Sequence, residues 1–392
     1  MSLPRLRINK RDQQRIRDGH LWVYSNEVDT KVTPLKAIEG HLVDLEDHRG
    51  QFIATASFNS QSLICARIVS NTAMSELDQT FFADKIEAAL AIREQLFKQP
   101  YYRLVFGEGD FLPGLVIDRF NDIFVVQIST QAIENVKSIL VAALQSRFGQ
   151  DIRILFKHDG KGRHMEQLPE YNEHVGAEFE CIELIENGVQ FQTPFDGQKT
   201  GWFFDHRAGR QWLNDCVSGK SVLDIFSYVG GWGIQAAKNG ASEVTCVDSS
   251  QKAIDHVAYN ATLNQVSNVT AICADAFEYL KAKTNEQFDV VVLDPPALIQ
   301  KRRDFEQGRQ AYFVLNEQAL KRTKDGGILI SASCSLHMTT EELLKIVQQV
   351  ARRQQKQVQL IHQARPAADH PRLLSMPEAD YLKCFMFKVT TI

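Results

Sequence analysis

The chain has 392 residues, 44% of them hydrophobic and 23% charged, with a formal net charge of −4. That length exceeds what one hydrophobic core usually serves, so two or three domains are expected, and the composition excludes a polycation or a disordered chain. No apolar stretch approaches a membrane span, the basic opening "MSLPRLRINKRDQQRIRDGH" lacks the apolar run of a secretory signal, and the seven cysteines form no CxxC pair; the expectation is a cytoplasmic protein with no membrane segment, no metal and no disulfide framework.

Residues 1–75 carry short apolar runs punctuated by Gly and Asn, "HLVDLED", "QFIATASF" and "LICARIVS". They predict a small barrel-like β domain. Residues 76–180 read as a central α/β domain. Phe82, Ile86, Ala89, Leu90 and Phe97 trace one helical face, and Ile133, Val136, Ile139, Leu140 and Ala143 another. Between them, "GLVIDRF" and "DIFVVQIST" flank Asn121-Asp122, which predicts a hairpin.

From residue 181 the pattern changes. "CIELIENGVQFQTPF" predicts a hairpin whose Asn187-Gly188 suits a type I′ turn. Strand-like runs then alternate with helical ones: "SVLDIFS", "EVTCVDSS", "VTAICADA", "FDVVVLDPP" and "GGILISAS". Such alternation implies βαβ units and a mostly parallel sheet covered on both faces, the Rossmann-like architecture of an α/β domain over 181–392. The ending "YLKCFMFKVT" is expected to add an edge strand.

Ligands of open α/β sheets bind at the carboxyl ends of the strands. Here each predicted strand ends in a polar group: Asp224 before the turn of Gly230, Gly231 and Gly233, then Asp248, Asp275, Asp294 of "DPP", and Cys334 of "SASCSLHMTT". Asp248 lies 24 residues after Asp224, where an acid accepts the hydroxyls of a ribose. The turn is "GGWG" rather than GxGxxG, so the spacing that brings backbone N–H groups to a pyrophosphate is missing. A cofactor with ribose and adenine but no phosphate fits this row, which points to S-adenosylmethionine and a class I methyltransferase fold.

Two chemistries remain open. The rigid "DPP" loop suits methylation of an exocyclic amine, with Asp294 orienting it. Cys334 suits carbon methylation: a thiolate adding at C6 of cytosine turns C5 into an enamine carbon that attacks a methyl sulfonium. Asp294, at the neighbouring strand end, would then accept from N4 or, if protonated, donate to N3. Against the second stands the reading of Cys334 as a small buried hydrophobe. Cys246 and Cys273 lie within apolar runs and are expected in the core. Residues 1–20 hold six Lys or Arg against two Asp, and residues 299–324 seven against three acids. Either run is a phosphate-binding patch or a solvated face.

On these residues the chain resembles the bacterial 23S rRNA cytosine-C5 methyltransferases of the RlmI-like family over nearly its full length. "RDQQRIRDGHLWVYSNEV" looks like that family's RNA-binding PUA domain, and "GEGDFLPGLVIDRF" like its central domain. "GQKTGWFFDHR", "FSYVGGW", "DPP", "SCS" and "AADHPRLLSMPEADYLKCF" follow in family order. The resemblance implies that Lys199, Thr200, Phe203 and Arg207 help close the methionine side of the cofactor pocket. It implies that Asp224, Phe226, Tyr228 and Gly230 line its first turn, that Asp248 holds the ribose, and that Asp275 and Ala276 flank the adenine. Asp294 and Cys334 would hold the cytosine as catalytic residues. Where many RNA cytosine methyltransferases carry a second cysteine, this chain has Pro296, as the RlmI-like group does. Large-subunit rRNA is the implied partner, and a homodimer is implied by the resemblance alone. Three other functions compete: amino methylation of a base, which needs no thiol; an NAD-dependent oxidoreductase, against which the missing GxGxxG counts; and a non-catalytic RNA-binding scaffold.

Overall fold

A computed structural model describes residues 3–38, 40–160 and 162–392. The chain divides into two compact units, one of residues 1–182, 195–202 and 368–379, the other of 183–194, 203–367 and 380–392.

The first unit contains two five-stranded sheets. One is built from β1 (Arg5–Arg7), β2 (Trp22–Tyr24), β3 (Leu42–Glu46), β4 (Phe52–Phe58) and β5 (Ile64–Ser70) in the order β1-β3-β4-β5-β2. β3, β4 and β5 are the three runs expected from sequence. Leu6, Val23, Val43, Leu45, Ala54, Ala56, Ala66 and Ile68 form its core, sealed by Met376. The second sheet runs β10-β9-β8-β7-β6 through β6 (Tyr101–Phe106), β7 (Leu115–Phe120), β8 (Ile123–Ile128), β9 (Arg153–His158) and β10 (Tyr171–Val175). β7 and β8 form the predicted hairpin, with Asn121 at φ 60°. The helix Gln79–Leu96 starts where Asp78 accepts from the Phe81 N–H at 2.7 Å, and it buries Phe82, Ile86, Ala89 and Leu90 as the spacing requires. Lys137–Phe148 forms the second helix, burying Leu140 and Ala143.

Residues 368–379 are fixed into this unit by buried polar groups. Arg93 makes a two-pronged contact with Asp110 at 2.6 and 2.7 Å and donates to the Asp369 carbonyl at 2.8 Å. The Asp369 carboxylate accepts from the Arg103 N–H at 3.0 Å. Hence "AADHPRLLSMPEADYLKCF" is divided: its middle serves the first unit and its ends the second. The first compact unit thus holds both five-stranded sheets.

The second unit begins at residue 183, within the hairpin of β11 (Cys181–Glu186) and β12 (Val189–Pro194), whose turn has Asn187 at φ 52° and Gly188 at φ 79°, the two left-handed residues a type I′ turn needs. β12 presents its edge to the helix Gln251–Leu263, where two amides imitate a strand. Asn260 exchanges bonds with Gln192 N–H and C=O at 2.8 and 3.1 Å, and Asn264 does so with Gln190 at 3.1 and 2.6 Å.

The remaining strands are β13 (Ser221–Ile225), β14 (Glu243–Asp248), β15 (Val269–Cys273), β16 (Phe288–Leu293), β17 (Thr323–Ser333), β18 (Lys356–Ala364) and β19 (Lys383–Thr391), in the order β15-β14-β13-β16-β17-β19-β18. β13 to β17 are parallel, and β19 is antiparallel to both β17 and β18. β19 is therefore an inner strand, not the expected edge. Phe385 and Phe387 on β19 are buried in the main core, whereas Leu360 on β18 is half exposed, so the more apolar strand takes the inner position. Strand order reverses at β13, which pairs with β14 on one side and β16 on the other; ligands of such sheets bind at that crevice.

Candidate active site

The turn after β13 is wound tightly. Phe226, Tyr228 and Gly230 take φ values of 65°, 50° and 87°. Asp224 closes it from beneath, one carboxylate oxygen accepting from the Gly233 N–H at 2.9 Å. Gly233 is required there, because a Cβ would lie 2.3 Å from the Cys246 sulfur. The other Asp224 oxygen and the Ser227 hydroxyl are buried without a hydrogen-bond partner among the described residues. Burial pushes the Asp224 carboxyl up to about 7, against the pull of the Gly233 N–H. A buried acid with one unpaired oxygen beside a buried unpaired hydroxyl suits a cationic, polar ligand end.

Asp248 holds the far side of the same turn. Its oxygens accept from the Tyr228 N–H and the Ser250 N–H, both at 2.9 Å. It is half-buried, and each oxygen keeps a lone pair for a hydroxyl. Asp275 is exposed and caps the helix Ala276–Lys281 by accepting from the Glu278 N–H at 3.0 Å, while Ala276 is buried beneath it.

At the end of β16, Asp294 is gripped on both oxygens. His206 Nε2 lies 3.2 Å from one, and the Trp232 indole N–H donates to the other at 3.1 Å. Burial opposes the Asp294 charge, but the His206 cation and the indole donor outweigh it and hold the carboxyl below its usual range. The reciprocal holds for His206: burial disfavours its charge, yet the Asp294 carboxylate keeps it protonated well above the usual imidazole range.

Cys334 follows the last residue of β17 and is half-buried. β16 and β17 are parallel neighbours with Leu293 opposite Ser331, so Asp294 and Cys334 leave adjacent strand ends. The two serines around the cysteine converge on one phenol. Ser333 Oγ donates to Tyr312 Oη at 2.8 Å, Tyr312 Oη lies 3.1 Å from Ser335 Oγ, and Ser335 Oγ accepts from the Ile299 N–H at 3.2 Å. Burial pushes the Tyr312 phenol up to about 12, so it stays neutral. On the other side, Lys383 Nζ donates to the carbonyls of Ser335 and Tyr381 at 2.7 and 2.6 Å. Burial lowers the Lys383 ammonium to about 8, and the neighbouring Cys334 counteracts part of that fall.

The segment 199–207 is shared between the units. Lys199, at φ 49°, and Thr200 belong to the first unit, where the buried Thr200 hydroxyl donates to Asp118 at 2.5 Å. Phe203 and Arg207 belong to the second. The Phe203 ring meets the Tyr228 ring edge-on at 5.8 Å, beside the first turn. Arg207 lies 3.4 Å from Glu186, and Arg210 Nε pairs with the same carboxylate at 2.6 Å. Glu186 is fully buried and also accepts from Gln235 at 2.9 Å. Sequence reading missed Glu186, Arg210, His206, Trp232, Tyr312 and Lys383. Trp232, His206, Glu186 and Lys383 lie inside stretches already singled out, "FSYVGGW", "GQKTGWFFDHR", "CIELIENGVQFQTPF" and "YLKCFMFKVT", Tyr312 lies in the basic run 299–324, and Arg210 lies in none of them.

One expectation is corrected here. Cys273 is exposed rather than core, because it closes β15 at the edge of the sheet, while Cys246 is buried. The basic residues of 1–20 are largely tied down: Arg5 and Arg7 pair with Glu46, Arg15 with Glu27, and Arg17 with Asp47. In the second basic run Lys301, Arg302 and Arg303 are exposed. Among the described residues no group of His, Cys, Asp and Glu is arranged to hold a metal, and no helix is long and apolar enough to cross a membrane.

The family model for a PUA-like domain matches residues 6–71, and that for an S-adenosylmethionine-dependent methyltransferase matches residues 141–368. A Klebsiella pneumoniae protein named "Ribosomal RNA large subunit methyltransferase I" is 33% identical over 396 residues, covering 98% of each chain. A Salmonella arizonae protein of the same name is 33% identical over 398 residues, covering 99% of this chain and 98% of its own. Among solved structures, an S-adenosylmethionine-dependent methyltransferase from Streptococcus mutans superposes with a TM-score of 0.83 at 22% identity, over 98% of this chain and 100% of its own, a likeness of fold.

Proposed function

Because this chain belongs to the S-adenosylmethionine-dependent methyltransferase family, we propose that it methylates C5 of a cytosine in large-subunit 23S rRNA, with Cys334 as the nucleophile. The substrate class follows the relatives' printed name and the PUA-like domain. The C5 chemistry rests on one observation: a half-buried thiol leaves β17 beside the strand end that carries Asp294, and it is bracketed by Lys383 and the Ser333–Tyr312–Ser335 cluster.

The residues divide the work. Asp224, with its unpaired buried oxygen, faces the cationic end of the cofactor, Asp248 the ribose, and Asp275 and Ala276 the adenine. Phe203 and Arg207 carry the roles the resemblance gives them. The Cys334 thiolate adds at C6 of the unstacked cytosine and raises electron density at C5. Asp294 accepts from the base. When bound, the cofactor would supply the electrophilic methyl group that the activated C5 takes up; a base then removes the C5 proton, and its electron pair re-forms the ring double bond as the C6–sulfur bond breaks and Cys334 leaves as thiolate.

The test combines bisulfite or mass mapping of rRNA, from cells with and without this protein, with trapping by 5-fluorocytidine RNA. Fluorine at C5 cannot leave as a proton, so a C6 adduct persists. A covalent complex that forms with the native chain and is lost in Cys334→Ala supports the reading. Methylation that survives Cys334→Ala would assign amino methylation instead.

A further inference from the structure

We propose that His206 is the positioning residue that keeps Asp294 an acceptor, and that the site thereby selects a base carrying an exocyclic amine, cytosine, over uracil. The inference deepens the proposed function and rests on its assignment of Asp294 to the base.

The hydrogen-bond geometry carries the argument. An indole nitrogen only donates, so the Asp294 oxygen 3.1 Å from Trp232 must accept. The other oxygen lies 3.2 Å from His206 Nε2, which is itself buried. A protonated Asp294 would have to put its hydrogen on an oxygen already facing a donor. Imidazolium at 206 removes that choice, because its Nε2 always carries a proton. The groups facing His206 favour the cation. They are Asp294 from β16, Asp205 from its own turn and the Cys384 thiol from β19, with the Trp232 ring 5.6 Å away. Asp205 is engaged in turn by the Tyr381 hydroxyl at 2.6 Å.

A carboxylate has about four lone-pair positions, of which His206 and Trp232 use two. Asp294 keeps 18% of its side-chain surface open, so the others are available to a substrate. The 4-amino group of cytosine donates to them. Uracil presents a carbonyl oxygen at that position, and two acceptors meet with no proton between them. Rejection of this kind is strong, because it leaves a buried charge unpaired.

Two measurements decide it. The first is the imidazole titration of His206 by NMR in the full-length chain, with the resonance assigned through His206→Gln. The expected result is a proton retained well above pH 6.5 and lost at lower pH in Asp294→Asn. An imidazole that is neutral at pH 7 in the native chain overturns the proposal. The second is methyl transfer to target RNA with cytidine or uridine at the reactive position. The native chain should discriminate, and His206→Gln should narrow the cytidine preference by about ten- to a hundredfold, the range spanned by a charged hydrogen bond. The same variant should gain an acid limb in its pH profile as Asp294 begins to titrate. Unchanged discrimination and an unchanged profile in a folded His206→Gln also overturn it. RNA that accepts no methyl at all refutes the proposed function instead, and the imidazole titration still decides the state of His206.

Discussion

Lys383 stands opposite Ser333 in the antiparallel ladder of β17 and β19, and its ammonium donates to the carbonyl of Ser335 at 2.7 Å. The cation is thus tied to the residues on both sides of Cys334. A thiol flanked by a fixed positive charge loses its proton more readily than a free one.

Alkylation of Cys334 by iodoacetamide, followed by mass spectrometry, measures that effect. With Lys383 titrating at about 8, its charge is present below that pH and fades above it. At pH 7.5, Lys383→Met should slow alkylation, because the neighbouring positive charge that favours the thiolate is gone. Lys383→Arg should preserve most of the rate. Equal rates in all three proteins would separate the lysine from the cysteine's chemistry.

Asp224 couples stability to pH in the direction opposite to a salt-bridged carboxylate. Its pKa rises on folding from 3.8 to about 7, so the native state binds this proton more tightly than the unfolded chain. The group's contribution therefore falls as pH increases through that window and stays low above it. In the absence of cofactor, Asp224→Asn should melt higher than the native chain at pH 8, by an upper limit of about 4 kcal/mol. Near pH 4 the difference should vanish. The same substitution should weaken S-adenosylmethionine binding in calorimetry, since the unpaired oxygen is what meets a cation.

Asp248 has two tasks, fixing the turn through the Tyr228 N–H and leaving lone pairs for a ribose. Asp248→Ala removes both, and cofactor affinity should fall by about 1.5–3 kcal/mol, the worth of hydrogen bonds to a charged acceptor. Calorimetry with S-adenosylhomocysteine reads this without any RNA. An unchanged dissociation constant would remove Asp248 from the site.

RNA affinity should respond to Lys301 and Arg302, which are exposed ahead of the helix Phe305–Arg322. Replacing both by Ala should reduce the slope of log affinity against log salt by about one to two, while cofactor affinity stays constant. Equivalent changes at Arg15 or Arg17 act first on the fold, since those side chains hold Glu27 and Asp47.

The strand-end row was legible because each of its members sits where an apolar run stops. Asp224 and Asp248 lie within the last two residues of β13 and β14, and Asp275, Asp294 and Cys334 one or two residues beyond β15, β16 and β17. Periodicity also found the helix Gln79–Leu96, and turn chemistry found the hairpins at Asn121 and Asn187. It could not rank β19 against β18 across the sheet, because an apolar run reads the same at an edge as inside. Nor could it separate paired arginines from free ones, because Glu46, Glu27 and Asp47 lie far along the chain from most of their partners.

The sequence by itself determined the strand–helix alternation, the polar group at each strand end and the absence of a pyrophosphate turn, all consequences of local residue order. Tertiary structure alone decided the electrostatics of those groups. His206 reaches Asp294, and Lys383 reaches the Cys334 turn, only because the sheet brings remote segments side by side. Burial there makes each charge depend on its partner, and burial belongs to the folded chain rather than to any stretch of its sequence.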